Sequence, residues 1–196
     1  MTIEVTSLTG KALAATVPAV AQMRITVFRH WPYLYDGTTD YETGYLSKFS
    51  KTEGAVIVVA RDGGAVVGCA TAAPLAGVEA EFSAPFLARG CDISSIFYCG
   101  ESVLLPEYRG RGLGHIFFDR REAHARSLGR FTHSAFCAVV RPSTHSLRPK
   151  DYVPLDAFWG RRGYDRAEGM TAHFAWKDID QPIETAKPMQ FWMKAL

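Results

Sequence analysis

The sequence predicts an α+β (α/β) domain in which a mixed central sheet of about six or seven strands is flanked by helices. Three observations predict it. Two apolar runs, Ala55 to Ala60 and Ala65 to Cys69, flank Asp62-Gly63-Gly64, the composition of two strands joined by a tight turn. Two longer segments, Leu8 to Phe28 and Gly112 to Leu128, carry apolar residues at helical spacing. A strand-like stretch, Ile93 to Leu105, leads through a glycine-rich turn into the second of them. With 196 residues, 47% of them hydrophobic and 12% aromatic, and no internal repeat or linker, the chain reads as one domain spanning 1–196.

Taken in order, Thr2 to Thr6 alternates around Ile3 and Val5 as a short edge strand does. In Leu8 to Phe28, Leu13, Val17, Val20 and Val27 share a face, and Pro18 implies a break or restart. An aromatic loop, His30 to Gly37, precedes a second helix, Asp40 to Phe49, whose Tyr41, Tyr45 and Phe49 recur every four residues. After the two strands, Pro74 to Asp92 is irregular, with a short helix near Phe86. Beyond the helix ending at Gly129, Thr132 to Val140 is a strand and Pro142 to Pro149 a loop. Leu155 to Arg162 is a short helix ended by Gly163, and Tyr164 to Arg166 with Met170 to Trp176 reads as a closing pair of strands. The tail holds Met189 to Met193, one more strand.

Composition excludes several functions. A formal charge of +2 with 21% charged residues gives no field suited to nucleic acid or a membrane surface. Cys69, Cys91, Cys99 and Cys137 form no CxxC pair, and the six histidines form no helix-spaced pair with supporting carboxylates, so neither a redox motif nor a metal site is expected. Met1 to Lys11 lacks the pattern of a secretory signal and no apolar run approaches membrane-spanning length, which points to the cytoplasm.

The chemistry is concentrated between Glu101 and Gly114, where a strand passes through Pro106 and a turn containing Gly110, Gly112 and Gly114 into a helix. Glycines there let successive amides point into one concavity, the helix N-terminus adds a positive dipole end, and Arg109 and Arg111 add charge, a combination that suits a pyrophosphate. His115 stands where a dinucleotide fingerprint needs glycine, and a P-loop's Gly-Lys-Ser/Thr ending is missing. A helix start with no ligand is the remaining bland alternative.

Arg109-x-x-Gly112-x-Gly114 after a strand ending in Leu104-x-Pro106 resembles the acetyl-CoA signature of the GNAT superfamily. Ala157-Phe158-Trp159-Gly160-Arg161-Arg162-Gly163-Tyr164 resembles the family's C-terminal Phe-Tyr-x-x-x-Gly-Phe segment, and together the likeness spans about Ala55 to Trp176. The resemblance implies acetyl-CoA as co-substrate and an N-acetyltransferase acting by direct attack in a ternary complex. It also implies a splayed pair of parallel strands, here Ile96 to Leu105 and Thr132 to Val140, opening the cleft. Backbone groups of Val103, Leu104 and Leu105 would then pair with the pantetheine arm, and the amides of Arg109, Gly110, Arg111, Gly112, Leu113 and Gly114 would hold the pyrophosphate.

Acetyl transfer to an amine needs a base, an oxyanion stabiliser and a proton for the departing thiolate. Glu101, an acid on the strand lining the cleft, is the expected base. Strict alternation places it opposite Tyr98, where the family's glutamate often lies, so a bulge is needed to bring it round, and a buried arginine partner for Glu101 is the competing role. Trp159 replaces the family's acid tyrosine and Asp151 its asparagine; Tyr152 is the substitute donor, with water as the alternative. His133 and Cys137 lie ~13 Å apart on a strand, too far to act as a catalytic pair. Trp31, Tyr33 and Tyr35 are expected to wall the pocket of a small amine, a protein or peptide acceptor and a catalytically weak acyl-CoA-binding module being the alternatives. The apolar Phe191-Trp192-Met193 suggests an edge strand able to pair with a second copy in a homodimer.

Overall fold

The computed structural model describes residues 3–196, so Thr2 of the first expected strand lies outside them. Strand β1 (Glu4–Leu8) leads into helix α1 (Gly10–Phe28), then α2 (Thr39–Phe49), β2 (Val56–Asp62), β3 (Ala65–Pro74), α3 (Ala80–Leu87) and β4 (Ile96–Leu104). Helix α4 (Leu113–Ser127), β5 (His133–Val139), α5 (Asp156–Arg161), β6 (Asp165–Lys177) and β7 (Glu184–Ala195) complete it. The seven strands form one sheet in the order β1-β2-β3-β4-β5-β7-β6. Every neighbouring pair is antiparallel except β4 and β5.

The helices cover both faces. Leu13, Val17 and Val20 of α1 and Leu46 of α2 pack on Ile57, Val59, Cys69 and Val103, whereas Phe117 and Phe118 of α4 take the opposite face against Val58, Val67, Phe97 and Phe136. In β2 both faces are therefore covered, which is why Val56 to Ala60 is apolar without alternation. Helix α3 adds Phe82 and Phe86 against Phe174 and Phe191.

Four expectations are corrected. Helix α1 runs through Pro18 unbroken; Pro18 and Ala14 both face solvent, so the carbonyl freed by the missing amide is left to water. The inner face of α2 is Glu42, Leu46 and Phe49, with Tyr41 turned outward. Tyr164 to Trp176 is not two strands but one, irregular between Arg166 and Thr171, where Gly169 takes a positive φ. Finally β7 is no edge: it lies between β5 and β6, and Phe191 is fully buried, so the premise for a dimer through that strand falls away.

Candidate active site

Parallel pairing between β4 and β5 is confined to Ile96–His133, Phe97–Ser134 and Tyr98–Ala135. Beyond Tyr98 the two strands part, and β5 takes β7 as its partner along its full length. The gap lies where the family resemblance implies it, and one edge of β4 is left open.

A bulge lies at the head of the gap. Ala72 faces Cys99 and Ala70 faces Ser102, so Gly100 and Glu101 together oppose Thr71. The extra residue reverses the alternation, returning Glu101 and Val103 to the face that Tyr98 occupies, toward α1 and α2. Only glycine fits at 100, where a Cβ would come 2.5 Å from Thr71 Oγ1. That hydroxyl accepts from the Glu101 amide at 3.3 Å.

Glu101 is buried and its Oε1 lies 2.6 Å from Nη1 of Arg24 on α1. Arg24 also binds Glu42 of α2 through Nε, so one guanidinium serves two carboxylates. Burial works against the charge on Arg24, but Glu101 and Glu42 outweigh it and push the guanidinium pKa up, so it stays a cation. Arg24 is thus the buried arginine partner weighed for Glu101, and the Tyr45 ring lies 4.8 Å from its guanidinium; which arginine it would be, and the second carboxylate Glu42, were not foreseen. The signal was a lone arginine inside an apolar helix between Met23 and Ile25.

At the other end of β4, Gly110 and Gly112 adopt φ +74° and +80°, and a Cβ at either would meet nothing within 4 Å. Among the described residues no acceptor is bonded to the amides of Gly110, Arg111, Gly112, Leu113 or Gly114. Five consecutive donors at the start of a 15-residue helix, with Gly110, Arg111 and Gly112 exposed, fit a pyrophosphate. Arg109 and Arg111 fold back instead, donating to the carbonyls of Leu104 at 3.3 Å and Glu107 at 2.9 Å. Leu105 spends its amide on Val67 and its carbonyl on Tyr108. By the alternation of an antiparallel ladder Val103 turns the same way, so of the three positions expected to meet the pantetheine arm Leu104 alone turns its backbone to the gap, where its carbonyl already accepts from Arg109.

The family model for the acetyltransferase (GNAT) family matches residues 22–148. The chain belongs to the GNAT acetyltransferase family. It is an acetyltransferase that uses acetyl-CoA as co-substrate. Solved structures of similar fold include a ribosomal-protein-alanine N-acetyltransferase from Brucella melitensis, with 14% identity over 98% of this chain and 99% of that one at TM-score 0.63. A GNAT-family acetyltransferase from Streptococcus pneumoniae has 10% identity over the full length of both chains at TM-score 0.60. An N-acetyltransferase from Thermoplasma acidophilum, in complex with coenzyme A, has 11% identity over both full chains at TM-score 0.54. No curated protein matches in sequence. Among the described residues no group of His, Cys, Asp and Glu side chains could hold a metal ion, and no helix is long and apolar enough to cross a membrane.

In this GNAT acetyltransferase the aromatic loop reaches the cleft. Trp31 stands edge-on to Tyr152 at 5.8 Å and to His145 at 5.2 Å, both on the segment after β5. Tyr33 lies within electrostatic reach of Cys137, Glu101 and Tyr152, and burial foremost pushes its hydroxyl pKa up. Tyr35 points toward Glu42, the second carboxylate of the Arg24 cluster, and burial foremost pushes its hydroxyl pKa up. The loop is clamped from behind: the Tyr33 carbonyl accepts from Arg141 at 2.6 Å and from Trp176 at 3.0 Å, and Arg141 is paired with buried Asp178 at 2.6 Å. An open hollow of about 490 Å³ outside this clamp has Arg141, Asp178 and Lys187 in its wall, but those charges are spent on one another.

Tyr98 and Cys137 face each other across the start of the gap, hydroxyl to thiol at 3.1 Å. Burial, reinforced by the thiol, pushes the Tyr98 pKa far up, so its hydroxyl is a donor rather than a base. Burial likewise pushes Cys137 up to about 12, and it raises Cys69 further. His133 bonds Thr132 at 2.9 Å and is not paired with Cys137. Trp159 packs between Phe136 and Trp192 in an apolar cluster, a place without use for a proton donor. Iodoacetamide at pH 8 is expected to label half-exposed Cys91 within minutes and to leave Cys69, Cys99 and Cys137 unmodified, as read by peptide mass spectrometry.

Proposed function

We propose that the enzyme acetylates the primary amine of a small molecule by direct attack within a ternary complex. The observation that carries the choice of a small acceptor is the roof made by Trp31 against Tyr152 and His145, which joins the aromatic loop to the β5–α5 segment. An extended peptide needs a groove open at both ends, and this contact closes one side. Residues 1–196 act as one domain in this reading.

Each residue then has a task. Amides 110–114 hold the pyrophosphate of acetyl-CoA, Leu104 pairs with its arm along the open edge, and acetyl-CoA supplies the thioester carbonyl to be attacked. Glu101, paired with Arg24, accepts the proton of the incoming ammonium directly or through one water. Tyr33 and Trp31 orient the acceptor. Tyr152, whose pKa burial raises so that the phenol stays protonated, gives its proton to the thiolate and regains one from the proton that the acylated nitrogen sheds.

The test is thiol release from acetyl-CoA with small amines, amino acids and peptides, comparing wild type with Glu101→Gln. Turnover on small amines that falls about 100-fold in the variant, with acetyl-CoA affinity unchanged, is expected. Faster turnover of peptides overturns the small acceptor, a fully active variant overturns Glu101 as base, and cofactor binding without turnover means an acyl-CoA-binding module.

A further inference from the structure

Arg121 lies on the third turn of α4 with 1% of its surface exposed, and among the described residues no carboxylate pairs with it. A buried cation with only neutral partners is costly and calls for a reason. Its partners supply one. Nη1 donates to the carbonyls of Thr71 at 3.2 Å and Glu101 at 3.1 Å, Nη2 donates to Ser102 Oγ at 2.8 Å, and Nε returns to the Phe117 carbonyl of its own helix at 3.2 Å. The guanidinium is stacked over Phe118, 4.7 Å from the ring centre.

Thr71, Glu101 and Ser102 are the residues of the bulge. Opposing two residues to one interrupts the ladder, and Arg121 donates to a carbonyl of each strand there, Thr71 and Glu101, from the α4 side. On the other strand the Thr71 hydroxyl takes the Glu101 amide. Without these bonds the ladder gains by slipping to regular pairing, which turns Glu101 to the wrong face. Arg121 also follows the amides 110–114 on the same helix by about two turns, ~12 Å. One rigid rod therefore touches the pyrophosphate cradle and the bulge.

We propose that Arg121 is a positioning residue for acetyl transfer: it holds β4 in its bulged register and so keeps the Glu101 carboxylate on the acceptor side. The proposal rests on the reading of Glu101 as base, and its test separates the two. Arg121→Met, Thr71→Val, Glu101→Gln and the double variant Arg121→Met/Glu101→Gln are compared for kcat, acetyl-CoA dissociation constant and backbone hydrogen exchange. Thr71→Val loosens the same register from β3 with little change of volume, and serves where Arg121→Met does not fold.

Arg121→Met is expected to lower kcat about 100-fold and Thr71→Val about tenfold, with acetyl-CoA affinity within about threefold of wild type. Exchange is expected to rise at least about tenfold at residues 100–102 and to stay unchanged in β1 and β2. The double variant is expected to be no slower than Glu101→Gln alone, because a misplaced base cannot be lost twice. Additive losses, or exchange that rises throughout the sheet, overturn the positioning role. Full activity in Glu101→Gln overturns the base reading itself, and with it the functional half of this proposal.

Discussion

Replacing Gly110 and Gly112 together by valine is expected to raise the KM for acetyl-CoA about a hundredfold while leaving the fold intact. Both residues have positive φ, a region that costs a β-branched side chain about 1–2 kcal/mol each. The loop is exposed and carries no core side chain between these positions, so it relieves the strain by rotating to negative φ. That rotation turns the amides out of their common direction. Losing about 3 kcal/mol of anion binding corresponds to about two orders of magnitude in affinity. Titration with acetyl-CoA and circular dichroism of the variant check the two halves of the expectation; a near-normal KM would remove the pyrophosphate from this loop.

Asp178→Asn is expected to destabilise the protein by about 3–5 kcal/mol, because it leaves Arg141 and Lys187 buried without their shared anion. Burial alone would raise the Asp178 pKa, but the bonds and charges of Arg141 and Lys187 outweigh it and hold it below the usual carboxylate range. A depressed folded-state value means that the stabilisation is present above the unfolded aspartate pKa of about 3.9 and is lost as pH falls through the folded value. Urea denaturation of wild type and variant at pH 7 reads the main effect, and its repetition from pH 5 down to 3 reads the linkage: the difference narrows toward the acid end. The aromatic loop should suffer with the clamp, since Arg141 also holds the carbonyls of Pro32 and Tyr33. A variant as stable as wild type at pH 7 would show that the clamp contributes nothing to the fold.

What could be read from the sequence was what neighbouring residues decide. The turn proposed to hold the pyrophosphate is local: Gly110 and Gly112 are glycines because the chain visits positive φ there, and the helix that follows shows its own period. The two strands beside the gap could be placed because each is an apolar stretch ended by recognisable punctuation, whereas their splaying came from the family resemblance. The bulge could be named as a requirement but not located, because it is made by Thr71 and Arg121, 30 and 20 residues from Glu101. Arg24 and Glu42 escaped for a similar reason: their burial depends on meeting each other and Glu101, and charge in isolation reads as surface. Pro18 misled because a helix interrupter is judged by its own residue, whereas its cost depends on whether the orphaned carbonyl reaches water. The position of β7 was the hardest to foresee, since nothing in Glu184 to Ala195 records that its partners are β5 and β6.

That position also orders events on the ribosome. Strands β2, β3 and β4 each join the sheet beside the strand synthesised before them, so the half carrying the cradle and the bulge can assemble as it emerges. Strand β5 has to wait. Apart from three residues of β4, its backbone partner is β7, which leaves the exit tunnel only after α5 and β6 have passed. During that interval the nascent chain holds a nearly complete donor half beside an unpaired strand bearing Ala135, Phe136 and Cys137, the surface a holdase would be drawn to cover.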